Sequence, residues 1–201
     1  MAFDHARAAI FDELAPEWDN HVKAPDREAL QELVDLLDID GLVVLDIGAG
    51  TGVLLQAVED RVPARWIACD ISKRMLEILQ NKYQGKIKGL EILVADSQDL
   101  PLDDQSVDRV VCNGVFPHFA DKAAALLEIH RVLKPGGLLV INHFAGRDKI
   151  NQIHGSSSNE VLRSDLLLTM DELRSLLQST GFEVWSTVDS DELCRAVAKR
   201  P

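Results

Sequence analysis

Cysteine is scarce and unpaired in this sequence. Cys69, Cys112 and Cys194 are the three among 201 residues, and no C-x-x-C pair occurs. That spacing argues against a structural zinc site. An odd count without framework spacing fits a reducing compartment, so a cytoplasmic location is expected. Long apolar runs are missing as well. No stretch approaches the ~20 residues of a membrane-spanning helix, and the opening MAFDHARAAIFDELAPEW carries acids and a tryptophan where a secretory leader needs an apolar centre. Positive charge is the third shortage: 21 Lys and Arg against 33 Asp and Glu leave a net charge of −12. So acidic a chain repels phosphate backbones, and nucleic acid is not expected as a partner. No basic cluster stands out beyond KIK at 86–88.

What is present is enough for one ordinary domain with a sizeable core: 46% of residues are apolar and 27% charged. Residues 1–40 read as a helical cap. FDHARAAIFDELAPEWD sets Phe3, Ala6, Ile10, Phe11 and Leu14 near one face, with Pro16 as a break. DREALQELVDLLDI is a cleaner amphipathic helix with a Leu30, Leu33, Val34, Leu37 stripe, started by Pro25 and Asp26. Residues 42–144 then alternate. LVVLD, RWIACD, LEILVAD, VDRVVCN and GLLVINHF read as strands; GVLLQAVED, SKRMLEILQNKY (capped by Ser72) and DKAAALLEIHRVL read as helices. That rhythm predicts a parallel sheet with helices on both faces. Residues 145–168, with GRDKINQIHGSSSN, read as an irregular insertion of the kind that forms lids or binding loops. Residues 169–201 give a helix closed by Gly181, then FEVWSTV and LCRAVAK, whose short DSDE link predicts an antiparallel hairpin.

Chemistry starts at VVLDIGAGTG, where Gly48, Gly50 and Gly52 follow a strand. A dinucleotide fingerprint would need a glycine at Val53, and a Walker loop would need G-K-[ST]; neither is present. Asp46, Asp70 and Asp96 each fall at the carboxyl end of a successive strand, the edge where ligands of open α/β sheets lie. Asp70, twenty residues after Gly50, suits a ribose, which dinucleotides and other nucleosides share. Asp96 with Ser97 suits the exocyclic amine of adenine. Asp46 stands where an ammonium or sulfonium can be steadied.

VLDIGAGTG, ACDIS, ADSQDLPLDDQSVDRVVCN, HRVLKPGGLLVI and the closing hairpin resemble the class I S-adenosylmethionine-dependent methyltransferases, nearest the UbiE/MenG-like or methyltransferase 11 group. The resemblance covers roughly residues 42–144 and the terminal helix and hairpin. It implies a Rossmann-like, doubly wound α/β fold with a seven-stranded sheet of order 3-2-1-4-5-7-6, strand 7 antiparallel. It also implies S-adenosyl-L-methionine as cofactor. Gly48, Ala49, Gly50 and Thr51 would approach it by backbone, Asp70 would take the ribose, and Ile71 and Met75 would line the adenine pocket. Asp96 and Ser97 would take the adenine edge, and Asn113 would face the sulfonium.

Methyl transfer needs positioning, and a base only where the acceptor must lose a proton. His118, after the fourth strand, is the candidate base, since imidazole accepts protons near neutral pH. Trp18, His118, His143 and His154 are the candidate acceptor contacts. The histidine spacing is not a metal motif, and no metal is expected. A small-molecule acceptor is expected, with oligomeric state open between monomer and homodimer. The rivals are a dinucleotide-dependent oxidoreductase and a cofactor-binding regulatory protein without transfer activity.

Overall fold

The computed structural model describes residues 3–201. The amino-terminal segment runs through α1 (His5–Leu14), a 3-10 turn over Ala15–Glu17 with Pro16 inside it, and a short α2 (Trp18–His21). Asp4 caps α1 by accepting from the Arg7 amide. The expected apolar stripe on α1 does not enter the core: Ala8 is its buried residue, Ala6 is exposed and Leu14 is 39% exposed. Phe11 and Leu14 instead line a cavity. Helix α3 (Arg27–Leu37) behaves as its periodicity predicts. Asp26 caps it through the Ala29 amide, and Leu30, Leu33, Val34 and Leu37 are buried.

Next come β1 (Val43–Ile47), β2 (Arg65–Asp70), α4 (Lys73–Tyr83, capped by Ser72), β3 (Leu90–Val94), β4 (Val107–Asn113), α5 (Lys122–Val132) and β5 (Leu133–His143). The stretch after the glycines, expected as an α-helix over 52–60, is a 3-10 helix at Val53–Ala57. Leu54, Leu55, Ala57 and Val58 are buried along it, the same positions an amphipathic α-helix would bury, so the apolar pattern does not separate the two windings. Residues 145–168 are also more regular than expected, containing α6 (Arg147–Gly155) and α7 (Glu160–Ser164). Neither helix buries a residue, so neither carries the apolar stripe that periodicity detects. The chain ends with α8 (Met170–Ser179), β6 (Glu183–Asp189) and β7 (Cys194–Lys199).

The sheet has the order β3-β2-β1-β4-β5-β7-β6. Pairings from β3 through β5 are parallel, while β7 runs antiparallel to both β5 and β6. Strand alternation feeds two cores. Leu45, Val110, Leu139 and Ile141 meet α5 and α8 on one face. Val44, Ala68, Val111 and Val140 meet α3 and α4 on the other. This doubly wound arrangement brings the carboxyl ends of the five parallel strands to one edge.

Because α3 seals the second core through fully buried leucines, Leu33→Ala should lower stability by about 2–5 kcal/mol. Urea unfolding would read this as a lower midpoint at unchanged slope.

Candidate active site

The turn after β1 is anchored before any ligand arrives. Gly48 and Ala49 both donate their amides to the Cys69 carbonyl, at 2.8 and 3.0 Å. The Gly50 amide donates to Asp70 Oδ2 at 2.8 Å. Gly48, Gly50 and Gly52 all take positive φ, at 70°, 54° and 90°. A Cβ on Gly48 would stand 2.3 Å from the Val115 side chain. On Gly50 it would meet nothing nearer than 4.0 Å, with the Trp18 indole nitrogen opposite. Backbone is therefore laid bare at Gly50, under a tryptophan from the cap.

A cavity of about 760 Å³ opens at this edge of the sheet. It is lined by Gly48, Ala49, Gly50 and Thr51 from the turn, by Asp70, Ile71 and Met75 after β2, by Asp96 and Ser97 after β3, and by Asn113 ending β4. Trp18, His118, His143 and His154 line it too. Of the cofactor and acceptor candidates named from the sequence, Asp46 is not in the lining, nor is Gly52 of the glycine turn. Asp46 is buried on the face of β1 shared with Val44.

The acids differ in their surroundings. Burial first, then repulsion from Asp70, lifts the Asp46 carboxyl to about 8, and its Oδ2 has no hydrogen-bond partner. Burial also lifts Asp70, to about 6, against the amides of Ser72 and Gly50 that favour its ionised form. Asp96 accepts from the Asp4 amide at 3.1 Å and from the Gln98 amide at 3.0 Å.

The cap is held down along its length. Beside the Asp4–Asp96 bond, Asp12 accepts from the Ser72 hydroxyl at 2.6 Å, and Asp19 accepts from the Thr51 hydroxyl at 2.6 Å and pairs with Lys82. Arg7 reaches the far side of the cavity. Its guanidinium bridges Asp4 at 2.9 Å and Asp165 at 2.5 Å.

Asp165 lies between α7 and α8, is 3% exposed, and takes the His118 Nδ1 hydrogen bond on Oδ2 at 2.8 Å. The His118 ring packs on Phe11 and on His154, and His154 Nδ1 contacts the Asp165 carbonyl. Burial lowers the His118 pKa below its ordinary value, with His154 and Arg7 adding to the effect and Asp165 opposing it. Burial drives His143 down to about 3. Among the described residues, no three His, Cys, Asp or Glu side chains meet at metal-holding geometry.

Residues 45–141 match the methyltransferase domain family. A demethylmenaquinone methyltransferase of Thermobifida fusca is 36% identical over 144 residues, which are 69% of this chain and 61% of that protein. An O-methyltransferase of Penicillium expansum is 29% identical over 176 residues, 87% of this chain and 64% of that protein. The crystal structure of a SAM dependent methyltransferase from Aquifex aeolicus shares the fold, with a TM-score of 0.72 at 21% identity over 96% of this chain and 98% of that one. The chain thus carries a methyltransferase domain match over residues 45–141 and shares the fold of S-adenosylmethionine-dependent methyltransferase structures. It spans less than two thirds of the length of both curated relatives.

The residues present fit S-adenosylmethionine as a cofactor. Gly50 exposes its backbone to the cavity, and Asp70 offers a carboxylate at the cavity edge. Two residues of the site escaped sequence reading, Arg7 and Asp165. Each is a charged residue that little in its immediate sequence distinguishes from a solvated one. The one available sign is the apolar run Leu166-Leu167-Leu168 directly after Asp165, which marks a re-entry into the core.

Asp46 sets a pH dependence of stability. Its folded value of about 8 exceeds the ordinary 3.8, so between those values the folded state holds a proton that the unfolded state has lost. The stabilisation is full below the ordinary value and disappears as pH rises through the folded one. Asp46→Asn should therefore melt above the wild type at about pH 9, with the gap closing towards about pH 4. Thermal melts of both proteins without cofactor, across that range, check it.

Proposed function

We propose that this methyltransferase moves the methyl group of S-adenosylmethionine to a small-molecule acceptor held in the same cavity. The observation that carries the reading is the continuity of that cavity, from the glycine turn to His118, beneath the amino-terminal helices. Its volume of about 760 Å³ lies in the upper part of the usual range for small-ligand sites, roughly 300–1,000 Å³. The net charge of −12 disfavours nucleic acid. The names of the two relatives, a demethylmenaquinone methyltransferase and an O-methyltransferase, agree with a small acceptor.

The bound cofactor supplies an electrophilic methyl group on a sulfonium, and the chain supplies position and a dry enclosure. Asp70 takes the ribose hydroxyls while its other contacts hold the Gly50 and Ser72 amides. Ile71 and Met75 pack on the adenine, with Asp96 and Ser97 at its edge. Gly48, Ala49, Gly50 and Thr51 receive the methionine portion by backbone, with Asp46 buried behind that turn, and Asn113 faces the sulfonium. Trp18, His118, His143 and His154 shape the acceptor side. Three free cysteines support a reducing, cytoplasmic setting.

Calorimetric titration with S-adenosylhomocysteine, with NADH as control, tests the reading. The expected result is binding of the first alone, weakened by about tenfold to a hundredfold in Asp70→Ala, the loss of one or two charge-assisted hydrogen bonds. Binding of NADH instead, or of neither, overturns it. Methyl label from the cofactor should then enter the small-molecule fraction of an extract rather than its protein or nucleic acid.

A further inference from the structure

The geometry points to a hydroxyl as the acceptor group and to His118 as the residue that takes its proton, oriented by Asp165 and by Arg7 of the amino-terminal helix. This rests on the methyl-transfer reading above.

The tautomer of His118 follows from its partner. Asp165 is held below its ordinary range by His118 and Arg7 despite burial, so it is ionised and can only accept. His118 Nδ1 must therefore carry the hydrogen of the 2.8 Å bond. The lone pair is left on Nε2, on a ring that lines the cavity. With its pKa lowered by burial, the imidazole is neutral near pH 7 and ready to accept. Asp165 is itself fixed from its other oxygen by Arg7, 2.5 Å away.

An imidazole poised in this way answers the need of one acceptor class. A neutral amine attacks through its own lone pair, and a thiol ionises readily. A neutral phenol or enol hydroxyl is a weak nucleophile until its proton leaves. As the acceptor oxygen bonds to the methyl carbon, the carbon–sulfur bond breaks with its electrons going to sulfur, and the O–H proton passes to His118 Nε2. The imidazolium loses that proton to water as product leaves.

Arg7 is a positioning residue with a second consequence. Helix α1 hangs on the cofactor side through the Asp4–Asp96 bond and on the base side through Arg7–Asp165. Seating that helix over the cofactor thus completes the support of His118.

The test uses the full chain with S-adenosylmethionine and two phenol probes: catechol, and 4-nitrophenol, which ionises unaided near neutrality. Aniline and thiophenol are the comparison acceptors. Methyl transfer to the phenols is expected. His118→Gln should lower kcat for catechol by about 10²-fold or more and kcat for 4-nitrophenol by at least about tenfold less, a base being superfluous there. S-adenosylhomocysteine affinity should be unchanged, which certifies folding.

The acid limb of kcat for catechol gives a readout that a merely structural role would not move. The groups facing His118 are Asp165, Arg7, His154 and His143, with Lys122 beside the Asp165–Arg7 pair. Removing the anion in Asp165→Asn should move the limb to lower pH. Removing the cation in Arg7→Ala should move it to higher pH, and Arg7→Lys should restore it. Equal losses on both phenols in His118→Gln, transfer to the amine or thiol alone, or no turnover of any probe by a protein that binds S-adenosylhomocysteine overturns the inference. Failure of the wild type to bind S-adenosylhomocysteine defeats the underlying reading instead.

Discussion

The Cys69 carbonyl at the end of β2 accepts two amide protons from the turn after β1, those of Gly48 and Ala49. A single acceptor serving two consecutive donors forces the chain to wrap tightly around it. At Gly48 only backbone without a Cβ passes, since a side-chain carbon there would run into Val115. The next amide, from Gly50, is taken by the Asp70 carboxylate. One turn thus fixes the separation of β1 and β2 and orients Asp70, leaving the open face of Gly50 towards the cavity. Turn and acid hold each other, so the ligand meets a surface already organised.

The same edge carries more carboxylate than its cations neutralise, and the structure turns this into a fastening for the cap. Asp12 and Asp19 reach from the cap to the hydroxyls of Ser72 and Thr51, and Asp96 reaches back to the Asp4 amide. Such contacts are weaker than apolar burial: each net hydrogen bond is worth about 0.5–1.5 kcal/mol. Ala8 and Ala15 are the buried apolar residues of the segment from α1 to α2, both small. A cover held by polar contacts at a cavity edge belongs to the low-stability end of a fold, where segments that open for ligand passage are drawn.

The central fold was legible because its signals are local and dense. Short apolar runs, the glycines, the caps at Asp26 and Ser72, and the DSDE link each state their own geometry. The 3-10 turn at Val53–Ala57 was hidden because an apolar stretch reads as helix whichever way it is wound. Helices α6 and α7 were hidden because they rest on the cavity rather than on a core, so their burial leaves no stripe. Asp70, Asp96 and His118 sit directly after strands, where order along the chain predicts location. Arg7 and Asp165 are 158 residues apart, and their meeting depends on how two polar segments close over one mouth. No short-range pattern encodes that.

That closure also decides the charge around His118. Arg7 lies between two carboxylates, Asp4 and Asp165, and without a proton on His118 the group carries one net negative charge. Protonating His118 brings the group to neutrality. Burial resists any charge on the ring, which keeps it unprotonated at rest; the excess anion favours the charge once it forms. Asp165 without Arg7 would hold the proton more firmly, leaving less of the ring free to act as a base. Arg7 without Asp4 would cancel Asp165 and leave the imidazolium unsupported. The amino-terminal helix therefore brings both charges together, Asp4 and Arg7 three residues apart, and sets the base between those two failures.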